Sequence, residues 1–536
     1  MTIIMAKTSL VSMLPILVAA LGYAGTVSAA TAAPVNTSSG IVEGRVASDT
    51  AGVSEYLGIP YAQPPVGNLR WAPPERFSGS STINATSFGN TCPASPSITS
   101  ASQIKSTPDL QITSQGVEVM MSLLSQENVT YSEDCLTLNV WAKPVEGEKK
   151  AVLFWIYGGS YTSGTTDNKG YNGKHLADLE DVVVVSANYR VGVFGFPGNP
   201  DTRTNLGLLD QRLAVEWVRD NIAAFGGDPD RITLFGQSAG GSSVDYFSYA
   251  WTEDPIVAGF IAESGTVFTP GTPASADAAA EIWYNLTAAL GCGDADSDAS
   301  AVTGCMRSLD WQTVQNGIAD GTGLGAVSGG FGPSADDVVV FSDYAARTVQ
   351  GNVTKRPLLI GENDYEVGLF KVLFGLQNVT YPEAIWQFLQ TSIYTCPLSE
   401  RAVSSVYNGA PTWRYRYFGN FPDLQLSTVP DSGAWHGAET AVVFGTDLDI
   451  QDVVGRTGAQ EQIATYVRGI WAAFAKDPTN GLTNYGLPTY HPLKSTLLRL
   501  AYDNATGPNA AFPVQYDIGC VIDEPLADAL VAVGLA

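Results

Sequence analysis

Arg231-Ile232-Thr233-Leu234-Phe235-Gly236-Gln237-Ser238-Ala239-Gly240-Gly241-Ser242-Ser243-Val244 passes from a β-branched, apolar stretch through a glycine-flanked serine into small residues that can open a helix. Its centre, Gly236 to Gly240, fits the Gly-x-Ser-x-Gly pattern of a nucleophile elbow. That chemistry needs the glycines: the serine sits on a tight strand-to-helix turn, where side chains at either flank would clash. In a chain with 55 glycines the five-residue pattern alone is weak. The strand before it and the helix opening after it separate Ser238 from an ordinary glycine-flanked turn serine.

Working outward, Ala151 to Tyr157 and Asp181 to Ala187 read as buried strands, rich in branched and aromatic residues and closed by glycine or polar residues. Leu206 to Phe225 reads as a helix, with Leu209, Leu213, Trp217 and Ile222 near a 3.6-residue period, stopped at Gly226-Gly227. Ile232 to Phe235 is a short strand, and Pro357 to Ile360 another, ended by Gly361. Strands alternating with helices imply a parallel sheet covered on both faces. Gly265 to Gly332, rich in Gly, Ala, Ser, Thr and Asp, reads as surface helices and loops inserted into one domain. Neither a repeat nor a long low-complexity block interrupts the chain.

The chain has 536 residues, 45% of them hydrophobic and 15% charged, a globular composition. Its formal charge of −25 argues against nucleic acid and anionic membranes as partners and suits solubility outside the cell. Lys7, the apolar run Leu10 to Tyr23 and Val27-Ser28-Ala29 make residues 1–29 a secretory leader, too short for a comfortable membrane span. No later stretch is apolar enough for a transmembrane anchor. Six cysteines, and Asn-x-Ser/Thr sequons at Asn36, Asn84, Asn128, Asn285, Asn352, Asn378 and Asn504, agree with a secreted, extracellular glycoprotein.

A serine hydroxyl becomes a nucleophile when an imidazole takes its proton. Only His175, His436 and His491 are available. In folds with this elbow the order is serine, acid, histidine, which excludes His175. His436 lies in a glycine-flanked loop, Ser432 to Gly437, from which a side chain can project. His491, between Tyr490 and Pro492, reads as a structural turn near a late strand. The acid should follow a strand between the two. Gly361-Glu362-Asn363-Asp364-Tyr365-Glu366 does, as an acidic loop with three carboxylates that spacing alone does not rank.

Further motifs bear on the family. They are Tyr56-Leu57-Gly58-Ile59-Pro60-Tyr61-Ala62 with Arg70-Trp71-Ala72-Pro73-Pro74, then Ser132 to Val140 (SEDCLTLNV), then Asn188-Tyr189-Arg190 running into Val191 to Phe196. From about Gly40 to Cys520 the chain resembles the type-B carboxylesterases, which include cholinesterases and fungal lipases. The resemblance implies an α/β-hydrolase fold: a large, mostly parallel sheet with helices on both faces, as one domain over residues 30–536. It implies a carboxylic ester hydrolase working through an acyl-enzyme, with Ser238, His436 and, at the Gly-x-Asn-x-x-Glu position, Glu366; Val367 before Gly368 departs slightly from the family pattern. His436-Gly437, then Glu439 and Phe444-Gly445, match the family's histidine segment.

Tyr157-Gly158-Gly159-Ser160-Tyr161 matches its oxyanion-hole turn, with donors expected from the backbone N–H groups of Gly159, Ser160 and Ala239; many relatives have a third glycine at Ser160. Relatives imply the bridges Cys92–Cys135, Cys292–Cys305 and Cys396–Cys520, among the many pairings six cysteines allow. Inside the first loop Val117, Met120, Met121 and Leu124 fall at helical spacing, an amphipathic helix that is either a flap over the site, as in lipase-like relatives, or fixed on the core.

Cholinesterases carry a tryptophan in that first loop and a glutamate beside the nucleophile. Here the loop has none, and Gln237 stands beside Ser238. Both changes remove attraction for a cation and argue against choline esters. The expected partner is a small-molecule or lipid ester, through esterase or lipase action. With all three candidate residues present, the reading as a non-catalytic, cholinesterase-like binding protein recedes. No metal or organic cofactor is implied, since neither a phosphate-binding glycine loop nor a Cys/His cluster occurs.

Overall fold

The computed structural model describes residues 32–521 except 96, 97, 99, 145, 146, 272, 319–329 and 451–453. The expected leader lies outside the described residues. Eleven strands form the main sheet: β1 (Arg45–Val46), β2 (Ser54–Pro60), β3 (Thr137–Ala142), β4 (Lys150–Ile156), β5 (Val183–Ala187), β6 (Gly227–Gln237), β7 (Gly259–Glu263), β8 (Leu358–Asn363), β9 (Thr412–Tyr417), β10 (Leu497–Leu500) and β11 (Ala510–Ala511). Their spatial order is β11-β10-β9-β8-β7-β6-β4-β5-β3-β2-β1. From β10 across to β5 every pairing is parallel, whereas β3, β2 and β1 at one end and β11 at the other run antiparallel.

Composition explains the parallel middle. Ala151 to Ile156 and Val183 to Ala187 are buried at every position, because a sheet covered on both faces has no solvent side for polar residues to occupy. On β9, Trp413 and Tyr415 meet Phe474 and Trp471, which belong to the helix Gly458–Lys476. Between them Arg414 and Arg416 face the other way, toward Thr395 and Ser399 beside the helix Cys396–Tyr407. That is the two-residue alternation of a strand between two layers of helix.

Further helices matter to the site: α1 (Ser114–Leu123), α2 (Leu206–Asn221), α3 (Ala239–Ala250), α4 (Val367–Leu376) and α5 (Ala438–Phe444). The expected helix over 206–225 is α2 followed by a 3₁₀ turn, Ile222–Phe225, that stops at Gly226, φ 86°. Residues 276–289, 299–308 and 311–316 form the helices expected within Gly265 to Gly332.

One boundary differs. β8 does not end at Gly361 but continues through Glu362 and Asn363, because both find buried partners instead of solvent. Glu362 lies 3.3 Å from both Arg414 and Arg416, and Asp364 2.8 Å from Arg416, so the expected acidic loop is mostly strand and ion pairs. Burial still pushes the Glu362 carboxyl up to about 7, against the pull of the two arginines.

The family-like motifs have structural work. Arg70 meets Glu133 through two hydrogen bonds of 2.5 and 2.6 Å, tying the opening motif to the second one. Arg190 grips Asp210 on α2 in the same bidentate way, at 2.8 and 2.7 Å. Disulfides join Cys92 to Cys135, Cys292 to Cys305 and Cys396 to Cys520. All seven sequon asparagines are exposed. Among the described residues no helix is long and apolar enough to cross a membrane.

Candidate active site

Ser238 joins the end of β6 to α3, at φ 60° and ψ −124°. That strained backbone persists because its surroundings leave no alternative. The Ser238 N–H donates to Glu263 O at 2.8 Å, and its carbonyl accepts from Ser242 N at 2.9 Å. A Cβ on Gly240 would come within 2.0 Å of Ile156 O, and one on Gly265 within 2.0 Å of Ser238 O. At Gly236 it would lie 2.7 Å from the Gly240 carbonyl. The glycines of the motif are therefore spaces into which neighbouring backbone fits.

On the other side of the cavity His436 projects just before α5. Its Nδ1 lies 2.6 Å from Glu366 Oε2. Glu366 is fully buried at the start of α4, and its Oε1 accepts the Ser264 hydroxyl at 2.6 Å and Asn363 N–H at 2.7 Å. Among the described contacts it is the one carboxylate of the three candidates that reaches His436. The rings of Phe370 and Tyr394 pack against the imidazole, with centroids 5.4 and 5.1 Å away. Ser238 and His436 line the same cavity, although no hydrogen bond joins Ser238 Oγ to the ring among the described residues; Nε2 instead meets the Gln237 amide nitrogen at 3.1 Å.

Behind this pair lies a polar layer that sequence reading passed over. Asn363 donates through its amide to Trp435 O at 2.7 Å and to Glu439, in a short contact. Trp471 Nε1 donates to Glu263 at 2.7 Å. Glu263 and Glu439 are fully buried, and one oxygen of each has no hydrogen-bond partner. Burial first, then the neighbouring Glu366, pushes the Glu439 carboxyl up to about 8. Burial and Glu439 likewise raise the Glu263 carboxyl well above its usual range. The only sequence signal for Ser264 and Glu263 is their position, in Glu-Ser-Gly at the end of a buried strand.

Gly159 and Ser160 enter the cavity from the turn after β4, and Ala239 opens α3 directly after Ser238. Among the described residues none of their three N–H groups donates to a protein acceptor. Gly159 takes φ 112°, while Ser160 and Tyr161 take φ 54° and 62°. The left-handed backbone at Ser160 shows why a glycine suits that place.

Leu123 and Leu124 from the end of α1, and Leu369, Phe370 and Leu373 from α4, give the cavity an apolar wall. Of the four residues expected on one face of α1, Met120 is fully buried and Val117, Met121 and Leu124 are partly buried. Gln115 fastens this helix to the carbonyls of Asp423 and Ile450 at 2.6 and 3.1 Å, and Gly116 sits directly against Leu426 O. Here the segment packs as a wall whose C-terminal end reaches the site. His175, which meets Asp449 at 2.9 Å, and His491, which accepts from Leu493 N at 3.1 Å, lie in other parts of the molecule. Among the described residues no group of His, Cys, Asp and Glu is arranged to hold a metal ion.

The chain is similar to known proteins over most of its length. A model of the carboxylesterase family matches residues 31–381. A chlorogenic acid esterase of Aspergillus niger is 35% identical over 455 residues, covering 83% of each chain. Secreted lipase 5 of Gibberella zeae is 33% identical over 506 residues, covering 88% of this chain and 90% of its own. A cholinesterase of Mus musculus is 31% identical over 479 residues, 79% of this chain and 75% of its own.

Proposed function

The chain belongs to the carboxylesterase family and is a carboxylic ester hydrolase with the α/β-hydrolase fold, and on that premise we propose that it works through Ser238, His436 and Glu366. The observation that carries the proposal is the buried 2.6 Å contact between Glu366 and Nδ1 of a histidine that shares its cavity with a strained, glycine-nested serine. Glu366 fixes the ring with its proton on Nδ1, so Nε2 carries the lone pair that can act as base. Ser238 Oγ attacks the ester carbonyl while Nε2 takes the hydroxyl proton. The oxyanion is held by the N–H groups of Gly159, Ser160 and Ala239, each of which can contribute about 3 kcal/mol to the transition state. His436 returns the proton to the departing alcohol, and water, activated the same way, releases the acid. These steps call on no metal or organic cofactor.

The leucine-rich wall suits an acyl group that is apolar, whether aromatic or aliphatic. One relative's name refers to an ester of an aromatic acid and another's to a lipase, and the same wall serves either reading. We also propose secretion, supported by the leader at 1–29, three disulfides and seven exposed sequons. The test is hydrolysis of a p-nitrophenyl ester series, short to long acyl, beside Ser238→Ala. A fall of about 10⁴-fold or more in kcat is expected, and the chain-length profile then separates esterase from lipase. An unchanged rate in the variant overturns the assignment.

A further inference from the structure

His436 has a partner on each ring nitrogen: Glu366 at Nδ1 and the Gln237 amide nitrogen, 3.1 Å away, at Nε2. Glu366 accepts Ser264 and Asn363 on one oxygen and faces Nδ1 with the other, so the ring proton sits on Nδ1. Nε2 of the neutral ring therefore presents a lone pair, and an amide nitrogen can only donate to it. This is the same lone pair that must take the proton of Ser238. One lone pair accepts one strong donor at a time, and in the free protein that donor is Gln237. Gly158 and Gly437 lie beside this amide: a Cβ on Gly158 would lie 3.3 Å from Gln237 Oε1, and one on Gly437 3.5 Å from its nitrogen.

We infer that Gln237 is a positioning residue for the hydrolysis, capping Nε2 in the free enzyme so that His436 is held as a neutral acceptor until Ser238 takes its place. The inference rests on the reading of His436 as the base. A donor aimed at the neutral ring favours that form, and an imidazolium would set two N–H groups against each other. The other titratable groups around the ring stay constant when Gln237 is changed. They are Glu366 at Nδ1, Glu439 linked through Asn363, and Tyr394 against the ring face. Tyr171 also lines the cavity, while Lys371 on α4 is engaged by Tyr365 and Glu383.

The experiment compares the pH profile of kcat/KM for the wild type, Gln237→Met and Gln237→Glu on one soluble ester, with Ser238→Ala as control. The methionine removes the donor at similar length, and the glutamate replaces it with an acceptor that attracts a proton. The acid limb is expected to move to higher pH by about half a unit in Gln237→Met and about one unit or more in Gln237→Glu. On the falling limb that last shift is a loss of about tenfold. Superimposable acid limbs, or an equal loss at every pH, overturn the inference and leave Gln237 a packing role. If Gln237→Glu does not fold, as circular dichroism will tell, the methionine variant decides alone. Activity surviving in Ser238→Ala sinks the triad instead. In that case the ¹⁵N signal of His436, one of only three histidines, still reads the contact. Its Nε2 resonance should move when Gln237→Met removes the donor, and a resonance that stays put overturns the cap.

Discussion

The two sides of the cavity are built by different physics. The side of the proposed nucleophile, β6 through the elbow into α3 with the turn at Gly158 to Tyr161, is shaped by steric exclusion. Backbone approaches backbone so closely that a single Cβ would strike a carbonyl oxygen. The side of the proposed base is shaped by buried polar side chains drawn from distant parts of the chain: Ser264 after β7, Asn363 at the end of β8 and Glu366 beyond it, and His436 and Glu439 before and within α5. The first should therefore fail by losing its fold, and the second by losing chemistry while the fold stands.

The largest expected effect separates these directly. Glu366→Gln keeps the shape but cannot hold the ring in its Nδ1–H form, so kcat should fall by about 10³- to 10⁴-fold with a native circular dichroism spectrum. A variant that unfolds would show that the base side is also a steric scaffold. Next, Gly240→Ala pushes a methyl into Ile156 O and should destabilise the protein by about 3 kcal/mol or more, read by chemical denaturation. A normal denaturation midpoint would break the steric account of the elbow.

The third test concerns pH. The Glu439 carboxyl is raised from 4.5 to about 8 in the folded protein, and Glu263 is raised in the same direction. Between those values the native state binds protons that the unfolded chain has released. This stability is fully present below about pH 4.5 and is lost as pH rises through about 8. The melting temperature should accordingly decline across that window, and Glu439→Gln, which is always neutral, should flatten the slope. Equal slopes would remove Glu439 from the account. The smallest effect is expected at Ser160→Gly, where relief of the left-handed backbone should raise stability by about 1 kcal/mol with the ester hydrolysis retained. A loss of stability would mean that the serine side chain contributes something the backbone argument omits.

The same contrast explains what could be read before the fold was known. A steric elbow must be written in adjacent residues, so Gly236 to Gly240 between an apolar strand and a helix announced it. The buried strands β4 and β5 were legible for a similar reason, since burial on both faces leaves an unbroken apolar run. The carboxylate that meets His436 was not legible in this way. Glu362, Asp364 and Glu366 share one short segment and differ only in what lies across the sheet. The strand continues past Gly361 and turns Glu362 toward Arg414 and Arg416, Asp364 meets Arg416, and Glu366 is left facing His436. Resemblance to a family had pointed to Glu366, but residue spacing had not.

By itself the sequence determined the class of fold, the position of the elbow and the shortlist of histidines. These follow from periodicity, backbone sterics and chain order, which act over a few residues and leave a mark wherever they act. Only the tertiary structure decided which carboxylate meets the imidazole, that Ser264 and Asn363 hold it, that Gln237 occupies Nε2, and that α1 is fastened as a wall. Each of those contacts is a hydrogen bond or close packing made across a folded sheet. The groups that make it carry the same letters whether or not the fold brings them within reach.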